Sequence, residues 1–168
     1  MKIAIDVRPL QTSVRTGVGE YAYELLSAVF SLYPEHTYFL CSSGLHAFEI
    51  PKDWQKENII PLHLQWPNKI INASILFSNW PRISDWPKLN KQNINFDYIY
   101  YPNLSSIGVE DTVPTILTVH DITFSLFPQF LSLHRRFWHA AIKPGKLINS
   151  ATKITTPSEV TAADVAGE

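Results

Sequence analysis

Lys2-Ile3-Ala4-Ile5-Asp6-Val7 opens the chain as a short run dominated by apolar residues, and Gly17-Val18-Gly19-Glu20-Tyr21-Ala22 begins a second, different pattern ten residues later. The first run reads as a buried parallel strand, because both of its faces carry apolar side chains. From Gly17 to about Leu32, the residues Val18, Tyr21, Ala22, Leu25, Val29 and Leu32 recur at the spacing of one helical face. Pro34 is expected to end that helix. Strand then helix is the first half of a parallel crossover unit, and the rest of the chain repeats the theme.

Outward from this pair, His36–Ser42 and Asn58–Leu64 read as strands, with Pro61 placing the second at a sheet edge. Residues 68–80 have helical spacing, with Pro81 and Pro87 marking the exit. Phe96–Tyr101 is a strand stopped by Pro102, and Pro114–Val119 is a stronger one that runs into His120-Asp121. A helix is expected from about Ser132 to Ser150, bent or broken at Pro144-Gly145, before a last short strand from Lys153 to Thr156. Ser158 then stands as an N-cap with Glu159 in the first turn. The alternation predicts an α/β fold: a Rossmann-like, doubly wound, mainly parallel sheet.

The chain's 168 residues and 19.2 kDa suit one domain. A formal net charge of −1 argues against a nucleic-acid binder. The single Cys41 excludes an intramolecular disulfide and any cysteine-cluster metal site, and its apolar setting predicts a buried, inert thiol. The histidines at 36, 46, 63, 120, 134 and 139 show no metal-ligand spacing, so no metal is expected. No signal peptide or membrane span is read from the sequence, which predicts a cytoplasmic setting.

Two features carry chemistry. Gly17-Val18-Gly19 at a helix start lets backbone approach a ligand, and the helix dipole there favours phosphate or a sugar oxygen. The same stretch satisfies Gly-x-Gly-x-x-Ala, which raises an NAD(P)-dependent oxidoreductase as an alternative. Against it, nine residues separate Val7 from Gly17, and no acidic residue follows at Phe39–Ser42 to hold a ribose. His120-Asp121 is the second feature. Ligands of open α/β sheets bind beyond the carboxyl ends of strands, where this pair and the glycine start can share a crevice. No Gly-x-Ser-x-Gly elbow supports a hydrolase.

Taken together, the motifs resemble glycosyltransferase family 4, retaining enzymes of the GT-B fold. The resemblance rests on Asp6-Val7-Arg8-Pro9-Leu10, on Thr16-Gly17-Val18-Gly19 with Tyr21, on Val119-His120-Asp121 followed by Phe124 to Pro128, and on Thr156-Pro157-Ser158-Glu159. It implies the N-terminal, acceptor-side half of a two-domain enzyme, spanning residues 1–168 and cut short before its nucleotide-sugar half. The implied reaction moves a sugar from a nucleotide-sugar donor to a glycan or lipid-linked acceptor, without a metal or other cofactor. The resemblance puts His120 beside the transferred sugar, as the catalytic choice. Gly17, Val18, Gly19, Arg8, Asp121, Ser158 and Glu159 would contact substrate. Glu20 departs from the basic residue common in that family. The implied catalytic partners, a paired-glutamate motif and a basic phosphate clamp, belong to the absent half, so this polypeptide alone is expected to be inactive. A noncatalytic sugar- or lipid-binding module is the remaining alternative.

Basic residues suggest a further partner. Ile122–Ser158 contains no acid but holds Arg135, Arg136, Lys143, Lys146 and Lys153, and a basic-aromatic region spans Trp66, Lys69, Trp80, Arg82, Trp86, Lys88 and Lys91. Either could meet an anionic membrane peripherally, at about 1 kcal/mol per basic side chain near the surface.

Overall fold

The computed structural model describes residues 1–11, 16–130, 132 and 142–167. Its centre is a six-stranded, all-parallel sheet in the order β3-β2-β1-β4-β5-β6. The strands are β1 (Lys2–Asp6), β2 (Thr37–Ser43), β3 (Ile59–Leu64), β4 (Tyr98–Tyr101), β5 (Thr115–Thr118) and β6 (Lys153–Thr155). The α/β, doubly wound expectation is therefore the observed architecture. From β1 the chain winds outward through β2 to β3, then returns to place β4 on the other side of β1. That reversal opens a crevice between the carboxyl ends of β1 and β4.

Alternation along the strands feeds two cores. Ile5 and Val7 face the same side as Ala22, Leu26 and Phe30 of α1 (Gly17–Leu32). Ala4, Phe39, Ile99 and Leu117 face the other side, under Ile71 of α2 (Asn68–Ser78), Trp86 of the short α3 (Trp86–Leu89) and Leu147 of α5 (Pro144–Ser150). Each fully buried Leu, Ile or Phe adds about 1.5–3 kcal/mol of transfer free energy. Cys41 lies inside the second core, and burial pushes its thiol pKa well up, as expected of an inert thiol.

The bounds of α1 match the predicted ones, and its buried face matches in part, at Ala22 and Val29. Gly19, Ala22, Leu26 and Phe30 point inward, whereas Leu32 is 70% exposed. Apolar residues surround much of this helix, so periodicity alone could not choose which stripe meets the sheet. Pro61 does sit on an edge strand, paired in register with Leu40 on the inner side. Pro87 lies within the first turn of α3 rather than at an exit. At the predicted break, Lys143 takes a left-handed φ of 54° and Pro144 starts a helix. The part of that predicted helix over 133–141 falls outside the described residues. Among the described residues, no helix is long and apolar enough to cross a membrane.

Candidate functional site

Every strand points its carboxyl end to the same edge of the sheet, and the sequence-predicted residues collect along it. β5 continues through buried Val119, whose N–H donates to the Thr155 carbonyl at 2.9 Å. The next residue, His120, is half-buried and places Nε2 2.9 Å from the Pro102 carbonyl oxygen at the end of β4. A carbonyl only accepts, so Nε2 carries the proton and the neutral ring keeps its lone pair on Nδ1. Nδ1 has no hydrogen-bond partner among the described residues. Tyr21, one turn into α1, meets the imidazole edge-on at a ring-centroid distance of 5.0 Å. This contact joins the glycine start of α1 to the end of β5.

The helix start itself is capped by Thr16, whose side-chain oxygen accepts from the Gly19 N–H at 3.4 Å. Gly17 and Gly19 lie within the helix. Among the described residues the one glycine with positive φ is Gly44, so neither Gly17 nor Gly19 serves as a left-handed turn. A side chain at Gly17 would meet open space. Its smallness keeps the helix end accessible rather than relieving a clash. Thr12–Arg15, the loop leading in, fall outside the described residues.

Other predicted residues have different employment. The carboxylate of Asp121 accepts from the Thr123 N–H at 3.1 Å and the Thr123 hydroxyl at 2.8 Å, starting the short α4 (Thr123–Leu126). Ser158 accepts from the Thr161 N–H at 3.1 Å and so caps α6 (Glu159–Gly167), while Glu159 is exposed in the first turn. The cap still reaches the site indirectly, since the Thr161 hydroxyl donates to the His120 carbonyl at 3.2 Å. Deeper in the same corner, the Tyr100 hydroxyl, Thr118 and Thr155 form a chain of hydrogen bonds at 2.8 Å each. Burial pushes the Tyr100 pKa up to about 12, so it remains a phenol at neutral pH.

Arg8 is not beside the glycines. It leaves the end of β1 on the opposite side of the sheet, over the Trp86 ring at 5.8 Å. Its Nε and Nη2 donate to the two carboxylate oxygens of Asp6, both at 2.8 Å, and Nη1 donates to the Ser106 carbonyl at 3.2 Å. Burial opposes the guanidinium charge, but Asp6 outweighs it and the Arg8 pKa is raised. Three of the five guanidinium N–H groups are thus committed inside the chain. Arg8 also borders a cleft of about 270 Å³ at the β1–β4 reversal, with Asn68, Asn72, Asn103 and Ser105 around it.

Sequence reading missed this cleft. Asn68 and Asn72 are one helical turn apart at the start of α2, a spacing visible in the sequence, but Asn103 joins them only through the strand order. Among the described residues no cluster of three His, Cys, Asp or Glu side chains could hold a metal. The basic-aromatic region is also divided. Trp86 is core and Arg82 pairs with Asp111, whereas Trp66 and Trp80 contact one another at 5.5 Å. Arg135 and Arg136 lie outside the described residues.

No family model matches the chain, and neither the curated proteins nor the solved structures contain a match to it.

Proposed function

We propose that the chain is the acceptor-side domain of a retaining sugar transferase, working with a nucleotide-sugar-binding half on the same longer polypeptide. The observation that carries this reading is His120: its Nε2 is tied to Pro102, its Nδ1 is left for a ligand, and Tyr21 links it to the start of α1. The motif resemblance to glycosyltransferase family 4 supplies the reaction. In it, the anomeric carbon–oxygen bond to the nucleotide diphosphate breaks and a bond to an acceptor hydroxyl forms on the same sugar face. The hydroxyl proton passes to the departing phosphate. His120 would hold the transferred sugar near that carbon, and the α1 start would lie towards donor phosphates, where its partial positive charge favours them. Asp121, Ser158 and Glu159 become positioning residues, because Asp121 is bonded to Thr123 at the start of α4, Ser158 caps α6 and Glu159 stands exposed beside that cap.

The test is sugar transfer by the polypeptide that carries both halves. His120→Ala should lower turnover at least tenfold, about 1.4 kcal/mol of barrier, with an unchanged circular dichroism spectrum. Turnover at the wild-type rate overturns the role of His120.

One observation keeps a dinucleotide-dependent oxidoreductase in view: the strand order here is also that of dinucleotide-binding folds. The ten residues between Asp6 and Gly17 argue against it, since that ligand requires the first glycine in a tight turn directly after β1. Tight binding of NADH in a fluorescence titration would reverse the preference.

A cytoplasmic setting and peripheral contact with anionic lipid complete the proposal. Lys143 donates to the Leu76 carbonyl of α2, the helix on which Phe77 is 86% exposed, and Lys146 lies one turn further on. Sedimentation with anionic vesicles should fall as salt rises. Salt-insensitive or absent binding removes this part alone.

A further inference from the structure

We propose that the cleft between the ends of β1 and β4 binds an uncharged, polyhydroxylated ligand, a single sugar ring of the acceptor, through the carboxamides of Asn72 and Asn103. Its place at the strand-order reversal is where open α/β sheets take ligands. A volume of about 270 Å³ suits one small ring rather than a nucleotide or an extended chain.

The polar groups around the cleft are poorly employed within the chain. Asn68 is held, its Oδ1 accepting from the Ser43 hydroxyl at 2.8 Å. The Asn72 and Asn103 carboxamides form no hydrogen bond among the described residues, although Asn72 is exposed and Asn103 only half so. The Ser105 hydroxyl oxygen is buried with no partner among the described residues. Buried polar atoms of this kind are costly unless something satisfies them. A carboxamide offers two donors and an acceptor in one plane. Adjacent sugar hydroxyls each donate and accept, so they match that face; a phosphate or carboxylate only accepts and leaves the amide oxygens unpaired.

Charge points the same way. Among the described residues Arg8 is the one cation on the cleft wall, and the two-point pair with Asp6 neutralises it while Ser106 occupies a further N–H. An anionic ligand would have to compete with a carboxylate already in place. A neutral ring gains the amides and leaves that pair intact. The word acceptor rests on the transferase reading; binding of a neutral sugar does not.

The experiment is nuclear magnetic resonance of the isotope-labelled 168-residue chain, following the side-chain amides. The probes are methyl glucoside, methyl galactoside, methyl mannoside and N-acetylglucosamine, set against glucose 6-phosphate and glucuronate. At least one neutral sugar should shift the Asn72 and Asn103 amide signals. Asn72→Ala and Asn103→Asp, the latter isosteric but without N–H donors, should each weaken its affinity at least fivefold with melting temperature unchanged. No shift by any neutral probe, or tenfold tighter binding of an anionic one, overturns the proposal. Sugar transfer by the longer polypeptide separates the two ideas. Transfer that is unaltered by both asparagine substitutions removes the cleft and leaves the transferase, whereas neutral-sugar binding without transfer removes the transferase and leaves the cleft.

Discussion

Asp6–Arg8 and His120–Asp121 are both polar pairs at the carboxyl end of an interior parallel strand, and the chain uses them in opposite ways. The first pair is closed: Asp6 is 1% exposed and spends both oxygens on Arg8, which spends a further N–H on Ser106. In the second pair the residues turn away from one another. Asp121 accepts from the Thr123 N–H and hydroxyl at the start of α4, and His120 binds Pro102 through one nitrogen and keeps the other. Position at a strand end makes a residue eligible for ligand binding. Whether its hydrogen bonds are already satisfied inside the chain decides whether it can act. By that criterion Arg8 is a wall of the cleft, whereas His120 keeps one ring nitrogen unbonded among the described residues.

The largest expected effect tests the closed pair. Asp6→Ala strands a largely buried guanidinium and should cost about 3–5 kcal/mol of stability in urea unfolding. A loss under about 1 kcal/mol would mean that Arg8 finds water or another partner easily, and the contrast with His120 would weaken. Next in size is the cap that supports the open pair from behind. Ser158→Ala should cost about 1 kcal/mol through the first turn of α6. The same variant should also disturb the His120 backbone signal, because Thr161 bridges the two. If that signal stays fixed, the bridge does not position His120.

The smallest effect concerns Glu110, a buried acid that lacks the close cation Asp6 has. It accepts from the Ser84 hydroxyl and N–H and from the Tyr101 hydroxyl. Burial raises its pKa above the usual 4.5, with those donors and Arg82 opposing the shift. The folded state therefore holds the proton more tightly than the unfolded state. That contribution to stability is full below the unfolded value and is lost as pH rises through the folded one. Glu110→Gln should flatten this decline in urea unfolding between pH 4 and 7. An unchanged slope would assign the decline to other groups.

Much of this was legible in the sequence, and the failures have physical causes. The extent of α1 followed from Gly17, Pro34 and the apolar spacing between them. Its inward stripe followed only in part: Ala22 and Val29 meet the core, but the sheet's approach selected Leu26 and Phe30 over Leu25 and Leu32. His120 could be singled out because a strong strand ended in it. Its working nitrogen could not, since that depends on the Pro102 carbonyl of a neighbouring strand. The asparagine cleft was silent for a similar reason. Asparagine is ordinary at turns and helix starts, and Asn72 meets Asn103 only after β4 crosses to the far side of β1.

In the proposed transferase, His120 offers Nδ1 to a ligand while Pro102 holds Nε2–H. Long-range nitrogen-15 spectra of the imidazole, recorded with and without a panel of nucleotide sugars and neutral glycosides, address it directly. The free neutral ring should show the Nε2–H tautomer, and the Nδ1 resonance should change when ligand is added. An Nδ1–H tautomer, or an Nδ1 resonance indifferent to every ligand, would contradict it.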